Sequence, residues 1–423
     1  MRAPYLDDGD VRLYLGDCIE VMAEMDEGSV DAVVCDPPYG IGFMGKAWDA
    51  AAITERVERD NASRASLGPE SPSRPGRKKP RSSSAYGNRA IAAGPVRDHT
   101  LTRARSGSMH AGEYDLSLTA NAAFAAWCET WAREALRVLK PGGHLLAFGG
   151  TRTFHRLTCG IEDAGFEVRD CLSWLYGSGF PKSLNLDGEW QGWGTALKPA
   201  WEPCVVARKP LAGTVAENVQ QHGTGALNVD GCRIAGDVPQ VTQGVNSNGS
   251  GYRVATVAQE SNPHAAGRWP ANVAFDEQAA AMLDAQRGER ASSPFRSASS
   301  IGAKAERQNV SFAEQDYSGR GYTDNGGASR FFYTAKASRA DRSTNGANNT
   351  HPTVKPTELM RWLVRMVTPP GGVVLDPFAG SGSTLVAARA EGVRCIGIER
   401  EDEYAQIIAA RLSQLSLFSE GAA

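Results

Sequence analysis

The sequence predicts an α/β fold: a doubly wound, mostly parallel Rossmann-like sheet interrupted by irregular insertions. Three observations carry this. Short continuous apolar runs at Val30–Cys35, His144–Phe148, Val373–Leu375 and Val393–Ile398 read as strands buried on both faces. Segments of helical apolar period alternate with them. Acids follow three of these runs directly, Asp36, Asp376 and Glu399, at the strand ends where open α/β sheets bind ligands.

The 423 residues suffice for one large core with insertions or for two to three ordinary domains. Hydrophobic content of 41% and charged content of 22% are those of a soluble globular chain. No apolar run approaches the ~18 residues of a membrane span. The polar, acidic start is unlike a signal peptide, so a cytoplasmic protein is expected. A net charge of −3 argues against an overall nucleic-acid coat and leaves room for a basic face. The cysteines at 18, 35, 128, 159, 171, 204, 232 and 395 form no Cys-x-x-Cys pair. No metal site or disulfide framework is expected, and most of them read as small buried hydrophobes.

In chain order, Val11–Leu15 alternates as a short strand and turns at Gly16-Asp17, and Ile19–Met25 supplies one or two helical turns. Residues 51–112 break the pattern. From Arg56 to Arg105 there are twelve Lys/Arg against four Asp/Glu. This reads either as a solvated insertion or as an arm that tracks phosphates. A helix over 120–139 carries Phe124, Trp127, Cys128, Trp131, Ala135 and Leu136 at helical spacing, and Lys140-Pro141-Gly142-Gly143 stops it. Its tryptophans read as core. A helix at Phe154–Ala164 and strands at Val168–Tyr176 and Pro203–Arg208 follow.

Residues 211–345 are irregular, and so long a loop in a compact domain points to function. Within them, Ala226–Val229, Trp269–Phe275 and Phe331–Tyr333 indicate partial folding. Thr357 is placed to cap a helix with apolar Leu359, Trp362, Leu363, Met366 and Val367, ended by Pro369-Pro370-Gly371-Gly372. A helix after Gly382, the strand Val393–Ile398 and an amphipathic helix with Tyr404, Ile407, Ile408, Leu412 and Leu415 complete the chain.

The loop Asp376-Pro377-Phe378-Ala379-Gly380-Ser381-Gly382-Ser383-Thr384 lies between a strand and a helix. Glycines let backbone approach a ligand, and the helix N-terminus faces it. Glu399 ends the next strand, 17 residues after Gly382, where a carboxylate can take both hydroxyls of a ribose. A third glycine at dinucleotide spacing is missing, and so is a Walker lysine before Ser383-Thr384. Asp376 suits an ammonium group rather than a pyrophosphate. A ligand with an amino-acid end and an adenosine end fits: S-adenosylmethionine.

Asp36-Pro37-Pro38-Tyr39 suits the other half of such a reaction. An exocyclic amino nitrogen on a base has its lone pair delocalised, and it gains positive charge as it attacks a methyl group. Fixed acceptors stabilise that charge by about 3 kcal/mol each, by analogy with single oxyanion donors. The Asp36 carboxylate is one acceptor. The Pro37 carbonyl, freed from helix by Pro38, is a second. Tyr39 offers a face on which a base can stack.

These motifs resemble those of the DNA amino-methyltransferases that act on adenine N6 or cytosine N4. Asp-Pro-Pro-Tyr at 36–39 and Phe-x-Gly-x-Gly at 378–382 carry the resemblance. The order, with the catalytic motif first and the donor loop last, is similar to the circularly permuted beta class. The resemblance implies a seven-stranded methyltransferase sheet, S-adenosylmethionine as donor, DNA as partner and base flipping. It implies a catalytic role for Asp36, Pro37, Pro38 and Tyr39. It implies donor binding by Asp376, Phe378, Gly380, Gly382, Thr384 and Glu399. Asp17 matches the acid that contacts the donor's adenine. Lys355, in His351-Pro352-Thr353-Val354-Lys355-Pro356, matches a segment that holds the methionine end.

The implied layout divides the catalytic half into 1–50 and 113–210 around a basic insertion at 51–112. A target-recognition region at 211–345, a donor-binding half at 346–418 and a tail at 419–423 follow. Gly40–Asp49, with Lys46, Trp48 and Asp49, is either a lid over the base or simple structure. A cognate restriction endonuclease is a partner such enzymes can have. Asp36 favours adenine N6 over cytosine N4, where Ser is more frequent at this position. A non-catalytic DNA-binding protein on the same fold is the contrasting expectation.

Overall fold

The computed structural model describes residues 2–40, 117–179, 183–235, 267–291, 325–336, 341, 343–344, 347–349, 351 and 353–419. The basic insertion 51–112 and residues 41–49 of the expected lid lie outside the described residues.

In chain order the main elements are β1 (Leu6–Asp7), β2 (Val11–Leu15), α1 (Cys18–Ala23), β3 (Val30–Cys35), α2 (Leu118–Val138), β4 (Leu139–Phe148), α3 (Phe154–Ala164), β5 (Glu167–Leu175), β6 (Trp201–Arg208) and α4 (Val215–His222). They continue with β7 (Val273–Asp276), α5 (Glu277–Arg287), β8 (Tyr333–Ala335), α6 (Thr357–Val367), β9 (Val373–Asp376), α7 (Ser383–Ala390), β10 (Arg394–Glu399) and α8 (Asp402–Ser419).

One ten-stranded sheet has the order β1-β2-β10-β9-β3-β4-β6-β5-β7-β8. Its central seven strands, β2 to β5 in that order, are the doubly wound sheet the sequence predicts. Only β6 within them runs antiparallel, against β4 and β5. The extra strands are at the edges: β1 antiparallel on β2, and β7 and β8 parallel beyond β5. β7 and β8 come from the 211–345 region.

The permutation shows in the register. β9 lies between β10 and β3, with Val374 beside Ala32 and Leu375 beside Val33. Two parallel neighbours from opposite ends of the chain therefore finish side by side, one in Cys35-Asp36 and the other in Asp376.

β3 is continuous and apolar because both of its faces are covered. Ala32 and Val34 pack in the cluster that holds Leu359, Leu363 and Leu385 of α6 and α7. Val30, Val33 and Cys35 pack in the cluster that holds Trp131, Ala135 and Leu157 of α2 and α3. Each fully buried Val or Leu among them contributes roughly 1.5–3 kcal/mol. Asp31 is the polar exception, and its carboxylate accepts from Lys140 Nζ at 2.5 Å and Val373 N at 2.8 Å.

Ser117 caps α2 by accepting from Ala120 N at 3.1 Å. The helix stops at Val138, and the Lys140–Gly143 run belongs to β4 rather than to a separate stop, with a register shift opposite Val30–Ala32. Thr357 does not cap α6 as expected, since it is the first helical residue and Pro356 is the N-cap. Asp341 supplies the capping acceptor instead. Its carboxylate accepts from Thr357 N at 3.2 Å and from the Thr357 hydroxyl. Segments of the 211–345 region also lie against α6. The Tyr333 ring stacks on Trp362 at 4.6 Å, and Trp362 Nε1 donates to the Cys232 carbonyl at 3.3 Å. Six of the cysteines are buried, with Cys171 half-buried and Cys159 exposed. No described helix is long and apolar enough to cross a membrane.

Candidate active site

A cavity opens at the C-terminal edge of the sheet, where β3, β9 and β10 end. All the sequence-predicted site residues line it except Gly382. Asp36, Pro37, Pro38 and Tyr39 form one end together with Lys355. Asp376, Phe378, Gly380, Thr384 and Glu399 form the other, with Asp17 beside them.

At the glycine-loop end, Asp376 is buried and accepts from Phe378 N at 3.0 Å. Burial pushes its carboxyl up to about 7, against the pull of the Thr384 hydroxyl and the Phe378 amide. Glu399 accepts from Gly380 N at 2.7 Å and Glu401 N at 2.8 Å, and burial still raises it to about 7. Neither acid has an ion-pair partner among the described residues. Two buried carboxylates without a cation favour a ligand that brings positive charge. Asp17 caps α1, accepting from Ile19 N at 2.9 Å and Glu20 N at 3.4 Å.

The two loop glycines differ in what they make room for. Gly380 has φ +53°, and a Cβ there would lie 2.9 Å from His351 Nε2, itself a cavity residue. Gly382 has φ +79°, and a Cβ would press on Ile408 of α8 at 3.0 Å. Gly382 is thus shaped by the packing of α7 on α8 and, unlike its neighbours Ser381 and Ser383, does not line the cavity. Phe378 meets Trp127 at 5.6 Å and Trp131 edge-on at 5.2 Å. Trp131 is core as expected, whereas Trp127 also reaches the cavity.

The tetrapeptide end has its cation built in. Lys355 Nζ donates to Asp36 Oδ2 at 2.5 Å and Glu202 Oε1 at 3.0 Å. Burial alone would lower the Lys355 ammonium, but the Asp36 and Glu202 carboxylates more than offset it and hold it above the ordinary lysine value. The ammonium also lies 4.8 Å from the centroid of the Phe148 ring. The Tyr39 hydroxyl oxygen lies 2.9 Å from Asp36 Oδ1 and in closer contact with Glu202 Oε1, and its one proton can go to either acid. Burial, then the two carboxylates, drive the Tyr39 phenol well up, so it stays protonated. Thr153 Oγ1 donates to the Tyr39 carbonyl at 2.7 Å, and a Cβ on Gly150 would come within 2.9 Å of the ring. The ring is fixed at its hydroxyl, its backbone and one side.

Lys355 therefore sits on Asp36, although the resemblance placed it with the donor. It also joins the two ends: Ser383 Oγ, at the start of α7, donates to the Lys355 carbonyl at 2.9 Å. Glu202 is the residue sequence reasoning missed. It is the second residue of β6, 166 positions after Asp36, and nothing local in Trp201-Glu202-Pro203 marks a partner.

A family model described as DNA methylase, of the N6/N4 methyltransferase type, matches residues 30–410. The chain belongs to this DNA methylase family. The Type II methyltransferase M.HindIII of Haemophilus influenzae is 22% identical over 415 residues, covering 95% of this chain and 94% of the relative. The solved PvuII DNA methyltransferase, described as cytosine-N4-specific, is 14% identical, with TM-score 0.42 and coverage of 97% and 89%. The M1.HpyAVI–SAM complex is 14% identical, with TM-score 0.39 and coverage of 95% and 98%. The matched DNA methylase segment takes in β3, the glycine loop, Lys355 and Glu202. Asp17 precedes it.

Proposed function

We propose that this chain methylates the exocyclic N6 of an adenine flipped out of duplex DNA, with S-adenosylmethionine as donor. The observation that carries the reading is the side-by-side ending of β3 and β9. It sets a buried cation-seeking end, Asp376 and Glu399, next to an end where Asp36 and Tyr39 line the same cavity.

Asp376 would take the donor's ammonium, Glu399 its ribose hydroxyls, and Phe378, Gly380 and Thr384 the wall between. Asp17 would contact the adenine ring. Bound there, the donor supplies a methyl on a sulfonium: the S–C bond breaks as the N–C bond forms, sulfur leaves as a neutral thioether, and the nitrogen sheds one proton to water. Asp36 accepts a hydrogen bond from the target amino group and stabilises its growing positive charge. The Pro37 carbonyl is the second acceptor, and Tyr39 stacks the base. The flip itself follows from chemistry, since an amino group inside the duplex cannot reach a buried cavity.

Asp36 at the head of the motif supports adenine over cytosine. Recognition of the target sequence falls to 211–345. Incubating the protein with labelled donor and duplex DNA, then digesting to nucleosides, tests the base: label in 6-methyladenine is expected. Label confined to 4-methylcytosine would overturn the adenine assignment while keeping the rest.

A further inference from the structure

We infer that Glu202 is a positioning residue that sets the net charge of the base-accepting end of the cavity. The inference rests on the proposed methyl transfer and adds a residue to it.

Asp36 stabilises a developing cation more strongly when the charged groups around it sum to net negative charge. Lys355 Nζ is 2.5 Å from Asp36 Oδ2, so the two alone form a neutral pair. An ammonium that close opposes a second positive charge on the target nitrogen. Glu202 Oε1 lies 3.0 Å from the same ammonium. Two carboxylates around one ammonium leave a net charge of −1 at the reacting end.

Burial makes the balance matter. The side chains of Lys355, Asp36 and Glu202 are only 6%, 18% and 16% exposed, so solvent screens them weakly. Glu202 is also well placed to hold its position. It stands at the start of β6, where it pairs across the ladder with Trp174 of β5. The same Oε1 takes the Tyr39 hydroxyl. Lys355 is thus divided between two acids and does not neutralise Asp36. Tyr39 is fixed by the same atom that sets the charge.

A purely structural role would make Glu202 only a counter-ion for a buried lysine. The two roles part on a double variant. Glu202→Gln keeps the shape and removes one negative charge, so the cluster becomes neutral. Glu202→Gln with Lys355→Gln removes one charge of each sign and returns the cluster to −1 on Asp36 alone.

The experiment is single-turnover methyl transfer at saturating donor on duplex DNA, with thermal melting and donor titration on each protein. Glu202→Gln is expected to slow transfer roughly 10- to 100-fold with donor affinity unchanged. The double variant is expected to be faster than Glu202→Gln, because the cation opposing the reaction has gone with the acid that offset it. Glu202→Asp keeps the charge on a shorter arm and should be faster than Glu202→Gln. It also serves as the deciding comparison with the double variant should Glu202→Gln fail to fold.

A Glu202→Gln protein as fast as the wild type would overturn the inference. So would a double variant slower than Glu202→Gln, or Glu202→Asp no faster than the Gln variant. A wild-type protein that binds donor and transfers to neither base would instead overturn the methyltransferase reading, and this inference with it.

Discussion

The two ends of the cavity are both acidic, yet they treat their acids in opposite ways. Asp36 and Glu202 share a buried ammonium from Lys355. Asp376 and Glu399 have backbone amides and, for Asp376, the Thr384 hydroxyl, but no cation among the described residues, and burial lifts both to about 7. The tetrapeptide end is complete as it stands: its charges are balanced to a small excess and its rings are fixed. The loop end holds its acids on hydrogen bonds alone, with no cation beside them among the described residues. A site that must bind one substrate and do chemistry on another can divide its acids this way. Uncompensated charge favours binding, and compensated, fixed charge favours preorganisation.

The largest expected effect breaks the chemical end. Asp36→Ala should lower single-turnover methyl transfer by roughly 10³-fold or more, because it removes an acceptor from the reacting nitrogen and leaves Lys355 with one partner fewer. Transfer within tenfold of the wild type would remove Asp36 from the chemistry.

Next is the binding end. Asp376→Asn should weaken donor binding by roughly 10- to 100-fold in calorimetry, the cost of a lost buried charge partner. Unchanged affinity would show that the donor's ammonium is held elsewhere.

The pH dependence should follow the same contrast. The folded pKa values of Asp376 and Glu399, about 7, lie above their ordinary values of 3.8 and 4.5. Between about pH 4 and 7 the folded protein therefore holds protons that the unfolded chain has released, and its stability falls as pH rises through that window. His144, which burial lowers from 6.5 to about 4, works the other way, costing stability as pH falls below 6.5. Comparing melts with and without donor cancels the His144 contribution. Donor should raise Tm more at pH 8 than at pH 6, and its affinity should rise by roughly tenfold over that interval. Equal Tm gains at both pH values would mean that neither acid titrates against the donor.

The smallest effect separates the two glycines. Gly380→Ala presses on His351 within the cavity and should weaken donor binding. Gly382→Ala presses on Ile408 and should cost stability, about 1–2 kcal/mol for left-handed backbone, with little change in donor affinity. The reverse pattern in paired melting and titration experiments would put Gly382, rather than Gly380, against the donor.

Much of this contrast was legible in the sequence wherever the signal is local. Val30–Cys35 and Val11–Leu15 announce themselves as strands, and the acids after Val30–Cys35 and Val373–Leu375 mark the sheet edge. Asp376 and Glu399 are readable because one loop and one following strand bring them together. Lys355 could be noticed but not placed, because its partners are 319 and 153 residues away. Glu202 carried no mark at all, since an acid near the start of a strand is ordinary until its neighbours are known. β7 and β8 have four and three residues, too few to show a period, and they emerge only as additions to an existing edge. Trp127 reads as core because its helix is amphipathic, and core and cavity wall share one face of that helix. The basic stretch 51–112 lies outside the described residues, and its expectation stands on composition alone.

The division between the two ends is tested most directly by titrating donor into Asp36→Ala in a calorimeter. Donor affinity within about threefold of the wild type is predicted, because Asp36 belongs to the compensated end and the donor's partners belong to the other. Loss of donor binding in that variant would contradict the division, and would make the two ends one site with a shared charge.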